Sequence, residues 1–123
     1  MVNKIQITWL NKPEEQDYAA AMSYLGLLYD KKTTTIMVNK LKRASMTAFK
    51  SKDIFRASDL PLLSMANSHV SKNKKKILSG EKLSPILLVR DSQNRKVIIA
   101  DGYHRLCAVY TFDEDAAIPC KIV

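Results

Sequence analysis

Two cysteines, three glycines, four prolines and one tryptophan in 123 residues exclude several kinds of protein at once. Cys107 and Cys120 are too few for a disulfide framework and lack metal-ligand spacing. They read as reduced core thiols, in keeping with the usual burial of free cysteine. The chain has no internal repeat, no low-complexity tract and no obvious linker. Aromatic residues make up 7% of it, and none interleaves with basic residues as in single-strand nucleic-acid binders. Trp9 reads as core rather than as a base-stacking platform. No run approaches the roughly 18 apolar residues of a membrane span. The opening "MVNKIQITWLNKPEE" has no apolar signal region with a small-residue cleavage site. These absences argue against a membrane protein and point to the cytoplasm.

What is present fits one globular domain over residues 1–123, with a hydrophobic fraction of 46%. The net charge is +8, which favours polyanionic partners: nucleotides, nucleic acid or an acidic protein surface. The excess is spread along the chain, so there is no basic tail. The one local cluster is "SKNKKK", Ser71 to Lys76.

Hydrophobic patterning predicts a mixed α+β fold, with helices packed around a small mixed sheet. Residues 3–9 suit a short strand. Tyr18, Met22, Leu25 and Tyr29 predict a helix from Lys12 to Tyr29, opened by Pro13 and an acidic first turn. A second helix is expected over Thr34–Ala44, capped by a threonine, with Met37, Leu41 and Ala44 on one side. "AFKSKDIFRASDLPLL" reads as a short strand or turn and a bend at Pro61, with Ile54, Phe55 and Leu60 to Leu63 as core. A helix follows, capped by Asn67 or Ser68 and closed by Gly80, turning Val70, Ile77 and Leu78 inward. "SPILLVRD", "DSQN" and "RKVIIA" read as a hairpin of buried strands. Asp101-Gly102 ends it, residues 103–112 form a helix, and "IPCKIV" is a closing strand.

The stretch "IIADGYHRLCA" places Gly102, His104 and Arg105 where a strand hands over to a helix. A helix start carries unpaired N–H groups and partial positive charge, and so attracts anions. Gly102 permits a tight turn and close ligand approach. Arg105 offers a fork of donors matched to phosphate oxygens, and His104 a donor or a proton near neutral pH. Asp101 beside them suits a metal ion or a proton-transfer role. The alternative on the same residues is a buried Arg105–Asp101 ion pair with a packed His104. Likewise, the lysines at 72–76 are either phosphate ligands or a solvated run.

Residues "ADGYHRLCAVYTFDEDAAIPCKIV" resemble the end of the ParB/sulfiredoxin-like fold. Its phosphate box reads Gly-Gly-Cys-His-Arg in sulfiredoxins, Gly-x-Arg-Arg in ParB domains and Asp-Gly-His-His-Arg in the free-serine-kinase relatives. The last is nearest to Asp101-Gly102-Tyr103-His104-Arg105. The resemblance covers about residues 60–123, extending to about 49; residues 1–48, a mainly helical part, match no recognised type. It implies phosphate contacts by Gly102, Tyr103, His104 and Arg105 with ATP or CTP. A basic residue from the preceding helix joins them, with Lys72, Lys75 and Lys76 as candidates. Asn67 and His69 fall where relatives place polar nucleotide contacts, and His69 and His104 are candidates to converge. A small kinase or nucleotide hydrolase is the enzymatic reading, with Asp101 and His104 as its catalytic groups and Mg²⁺ bound at Asp101. The alternatives are a nucleic-acid-binding, ParB-like protein, with or without nuclease activity, and a non-catalytic interaction module. Tyr103 stands where sulfiredoxins carry their cysteine, so that activity is not expected. Nor is DNA partitioning, since the helix-turn-helix that follows the ParB domain is not in the sequence.

Overall fold

The computed structural model describes residues 5–123. Residues 3 and 4 of the expected first strand lie outside that range. The rest of it is not a strand: Trp9 makes a single parallel bridge to Leu83, supported by Leu10 N–H donating to the Leu83 carbonyl at 2.8 Å. Trp9 does pack against the core.

Helix α1 (Glu15–Leu28) buries Tyr18, Ala21 and Leu25, three positions on one face. It starts at Glu15 rather than Lys12, and the Asp17 carboxylate accepts the Glu14 N–H at 2.8 Å. Helix α2 (Lys31–Arg43) is capped by Asp30, which accepts the Thr33 N–H at 2.7 Å. The expected threonine cap is therefore wrong: an ionised carboxylate ahead of the threonines takes the orphan donors first. The buried face is Thr34, Val38 and Leu41, with Met37 packed at its margin.

Strand β1 (Thr47–Lys50) leads directly into helix α3 (Ser51–Ser58), where only a strand or turn and a bend were expected. The helix buries Ser51, Ile54 and Ser58 at helical spacing. Its polar buried positions hide the pattern, because the Ser51 hydroxyl is satisfied by the Asp113 and Glu114 carbonyls at 3.0 and 2.6 Å. Leu60 and Leu62 are exposed and Leu63 alone of that run packs on the core, a second correction. Helix α4 (Ser68–Leu78) is capped by Asn67 and ends on Gly80 at φ +76°, with Gly80 and Glu81 N–H groups bonded back to the Ile77 and Lys76 carbonyls. Leu78, expected inside, is 57% exposed, because the inward face is set by Val70 and Ile77.

The hairpin forms as expected. Strand β2 (Ile86–Asp91) turns through a short 3₁₀ segment into β3 (Lys96–Asp101), helix α5 (Tyr103–Phe112) follows, and β4 (Ala117–Ile122) closes the chain. The sheet order is β1-β4-β2-β3, with β2 and β4 parallel and the other pairs antiparallel. This is an α+β fold with a mixed four-stranded sheet. Strand β2 is apolar without alternation because helices cover both faces. Ile86 and Leu88 join a core with α3, α4 and α5, while Leu87 and Val89 join one with α1 and α2. The layer made by α1 and α2 is tied to β4 by Lys121, whose ammonium donates to the Lys42 carbonyl at 2.9 Å and sits 5.6 Å from the Tyr18 ring centre. Cys107 and Cys120 are buried free thiols, and burial pushes Cys120 up to about 11. Among the described residues no helix is long and apolar enough to cross a membrane.

Candidate functional site

The β3–α5 corner is prepared by an irregularity just ahead of it. The β2–β3 register shifts between Leu87 and Leu88, whose partners are Asp101 and Ile99, so Ala100 is the extra residue of a bulge. A bulge re-aims the residues that follow it, here Asp101 and Gly102. Gly102 has φ +110° and its carbonyl accepts the first bond of α5 from Leu106 N–H at 2.9 Å. A Cβ at this position would meet Ile86 Cγ1 at 2.8 Å and Arg105 Nη2 at 3.0 Å. Both backbone conformation and space therefore require glycine. Among the described residues no side chain caps α5, so its first N–H groups have no side-chain acceptor.

Asp101 and Arg105 form the ion pair that was one of the two readings of the corner. Arg105 Nη2 donates to Asp101 Oδ2 at 2.9 Å and to the Pro85 carbonyl at 3.3 Å. A third member comes from α1: Asp17 Oδ1 lies 3.9 Å from the same nitrogen. All three side chains are largely buried, so two carboxylates share one guanidinium. Burial raises the Asp101 carboxyl above its ordinary value against the pull of Arg105, and the Asp17 carboxylate adds to the rise. Arg105 Nε is buried with no hydrogen-bond partner among the described residues.

His69, in the first turn of α4, and His104, in the first turn of α5, do converge: their ring centres are 4.9 Å apart. Burial lowers His104 below its ordinary value, and His69 beside it lowers it further. The Tyr103 hydroxyl donates to the Pro61 carbonyl and pins the loop ahead of α4 to the corner. Burial raises the Tyr103 phenol.

These groups open onto a cleft of about 270 Å³. Lys72 and Lys76 line it with His69, as their i, i+3 and i+7 spacing requires, whereas Lys75 is on another face of α4. Asn67 is not in the cleft; its side-chain oxygen caps α4 by accepting the His69 and Val70 N–H groups at 3.0 and 3.2 Å. Lys82 and Asn73 line the cleft, and so do Glu14, Gln16 and Asp17 at the start of α1. Sequence reasoning missed these. Lys82 follows the Gly80 turn and was legible as the next basic residue, but no local signal connects α1 to a corner so distant in the chain. The basic side chains of α4 form one wall, and the acids of α1 with Asp101 form another, bridged by Arg105.

The chain's own residues do not fit a resident magnesium ion at Asp101. Its carboxylate is held by Arg105, and among the described residues no group of three or more His, Cys, Asp or Glu side chains is placed to hold a metal. No family model, curated protein or solved structure matches the chain.

Proposed function

We propose that this protein binds the phosphate chain of a nucleotide in the cleft between α4 and the N-terminus of α5. The observation that carries the reading is the convergence of His69, Lys72 and Lys76 with His104 at an uncapped helix start. Phosphate oxygens there meet N–H groups without a side-chain acceptor, the positive end of the helix dipole and mobile ammonium groups. Arg105 supports the corner from behind. Its Nη2 holds Asp101 and the Pro85 carbonyl, which fixes the β3–α5 turn whose N–H groups do the binding. The likeness of Asp101-Gly102-Tyr103-His104-Arg105 to the phosphate box of ParB/sulfiredoxin-like domains supports the same ligand class, ATP or CTP.

For phosphoryl transfer to an acceptor or to water, Asp101 is a poor base while it is bound to Arg105, and the histidines are the groups left to move a proton. Magnesium, if used, arrives with the nucleotide. Thermal melts with ATP and with CTP, each with magnesium, test the reading. A rise in melting temperature that is lost in Lys72→Gln/Lys76→Gln supports it, and no rise with either nucleotide overturns it. The nucleic-acid alternative predicts instead a steeply salt-dependent affinity for DNA or RNA that drops equally when Lys75, outside the cleft, is replaced.

A further inference from the structure

Resting on that reading, we infer that the cleft recognises the phosphate chain alone and is indifferent to the base, so that its ligand class is linear di- and triphosphates, free or esterified. Three observations lead there. The first is size: at about 270 Å³ the cleft falls below the roughly 300–1,000 Å³ of pockets that enclose a drug-sized ligand. On that size a phosphate chain lies within the cleft, and an attached sugar and base extend beyond it.

The second is that most of the amides and hydroxyls at or beside the cleft are already used by the protein, with the exposed Gln16 as the exception. Asn67 caps α4, Asn73 Nδ2 donates to the His69 carbonyl at 2.8 Å, and the Ser84 hydroxyl donates to Glu14 Oε1 at 2.7 Å. Base selection needs such donors and acceptors presented to the ligand.

The third is the lack of a stacking platform. Tyr103 is the one phenolic ring in the lining. It is anchored at its hydroxyl to Pro61 and has its ring centre 5.6 Å from that of His104. Trp9 packs against the core instead. The lining sets Lys72, Lys76, Lys82 and Arg105 against the carboxylates of Glu14, Asp17, Glu81 and Asp101; Arg105 engages two of these, which leaves the three ammonium groups, with the His69 and His104 rings, to face a phosphate chain. These recognise charge, and a phosphate chain carries it whatever its base.

The test is calorimetric titration of the full chain, at one ionic strength, with ATP, CTP, GTP, UTP, inorganic tripolyphosphate and adenosine. The expected result is affinities for the four nucleotides and tripolyphosphate within about threefold of one another, and none for adenosine. The tripolyphosphate affinity should be lost in Lys72→Gln/Lys76→Gln and kept in Lys74→Gln/Lys75→Gln. A preference of more than about tenfold for one base, or ATP binding without tripolyphosphate binding, overturns the inference and leaves the proposed function standing. Equal losses in the two double variants overturn it too, since the attraction would then belong to the overall positive charge. Failure of every phosphate compound to bind overturns both.

Discussion

The two faces of the sheet are covered by different kinds of helix layer. On one, α1 and α2 are laid over Leu87, Val89, Ile98 and Ala100, with α2 turning a polar face to solvent and α1 leaving Tyr24, Leu27 and Leu28 exposed. On the other, α4 and α5 bury Val70, Ile77, Leu106 and Val109 yet turn their first turns toward each other, bringing His69 and His104 together. The first layer acts mainly through burial, with polar ties at Lys42, Glu14 and Asp17, the last of which reaches the Arg105 guanidinium. A cleft therefore forms at the seam, with basic side chains from one layer and part of their counter-charge from the other. On the proposed reading, one layer holds the sheet and the other binds.

Arg105→Leu attacks the seam and should have the largest effect. It leaves two buried carboxylates without their shared cation, a loss of about 3–5 kcal/mol by analogy with broken buried pairs. Chemical denaturation measures it. The double variant Arg105→Leu/Asp17→Asn should recover part of the loss, and no recovery would mean that Asp17 is not coupled to the cluster.

Gly102→Ala comes next, at about 1–3 kcal/mol, from left-handed backbone strain. The close approach of Ile86 Cγ1 at 2.8 Å adds to it. A melting temperature unchanged from wild type would contradict the tight corner.

The two layers are compared most directly through their caps. Asp30→Ala on α2 and Asn67→Ala on α4 should each cost about 1 kcal/mol. Only Asn67→Ala should also weaken phosphate binding, because its cap orders the turn that carries His69. Equal binding in both variants would break the distinction between the layers.

The smallest effect is that of pH. His104 sits below the ordinary histidine value of 6.5, so it is neutral at pH 7 and offers a hydrogen bond rather than charge. A bound phosphate favours the imidazolium and pulls the value back up. Affinity should therefore rise as pH falls through 6.5, and His104→Gln should flatten the rise. The sign for stability is opposite: the unfolded chain takes up that proton first, so the unliganded protein loses the His104 contribution over the same descent.

Much of this was legible in the sequence where burial leaves a local trace. "SPILLV" announced a strand covered on both faces, "DSQN" its turn, and Gly102 the handover to α5. The candidate site was legible as a corner, and the meeting of His69 with His104 was anticipated. The choice of Lys72 and Lys76 over Lys75 was not, because it depends on the phase of α4 about its axis. Helix α3 stayed hidden because two of its three buried residues are serines, Ser51 satisfied by distant carbonyls and Ser58 by the Phe55 carbonyl one turn back. The Asp17–Arg105 contact has no local pattern at all. It exists only once α1 has packed against the sheet, and it brings a second carboxylate to within 3.9 Å of the Arg105 guanidinium.

Amide chemical-shift mapping of the labelled protein during titration with tripolyphosphate tests the central claim most directly. The account predicts saturable shifts confined to His69, Lys72, Asn73, Lys76, Lys82 and residues 102–105, with α2 and its Lys40, Lys42 and Arg43 undisturbed. Shifts spread over the basic residues of both layers, or centred on α2, would contradict it.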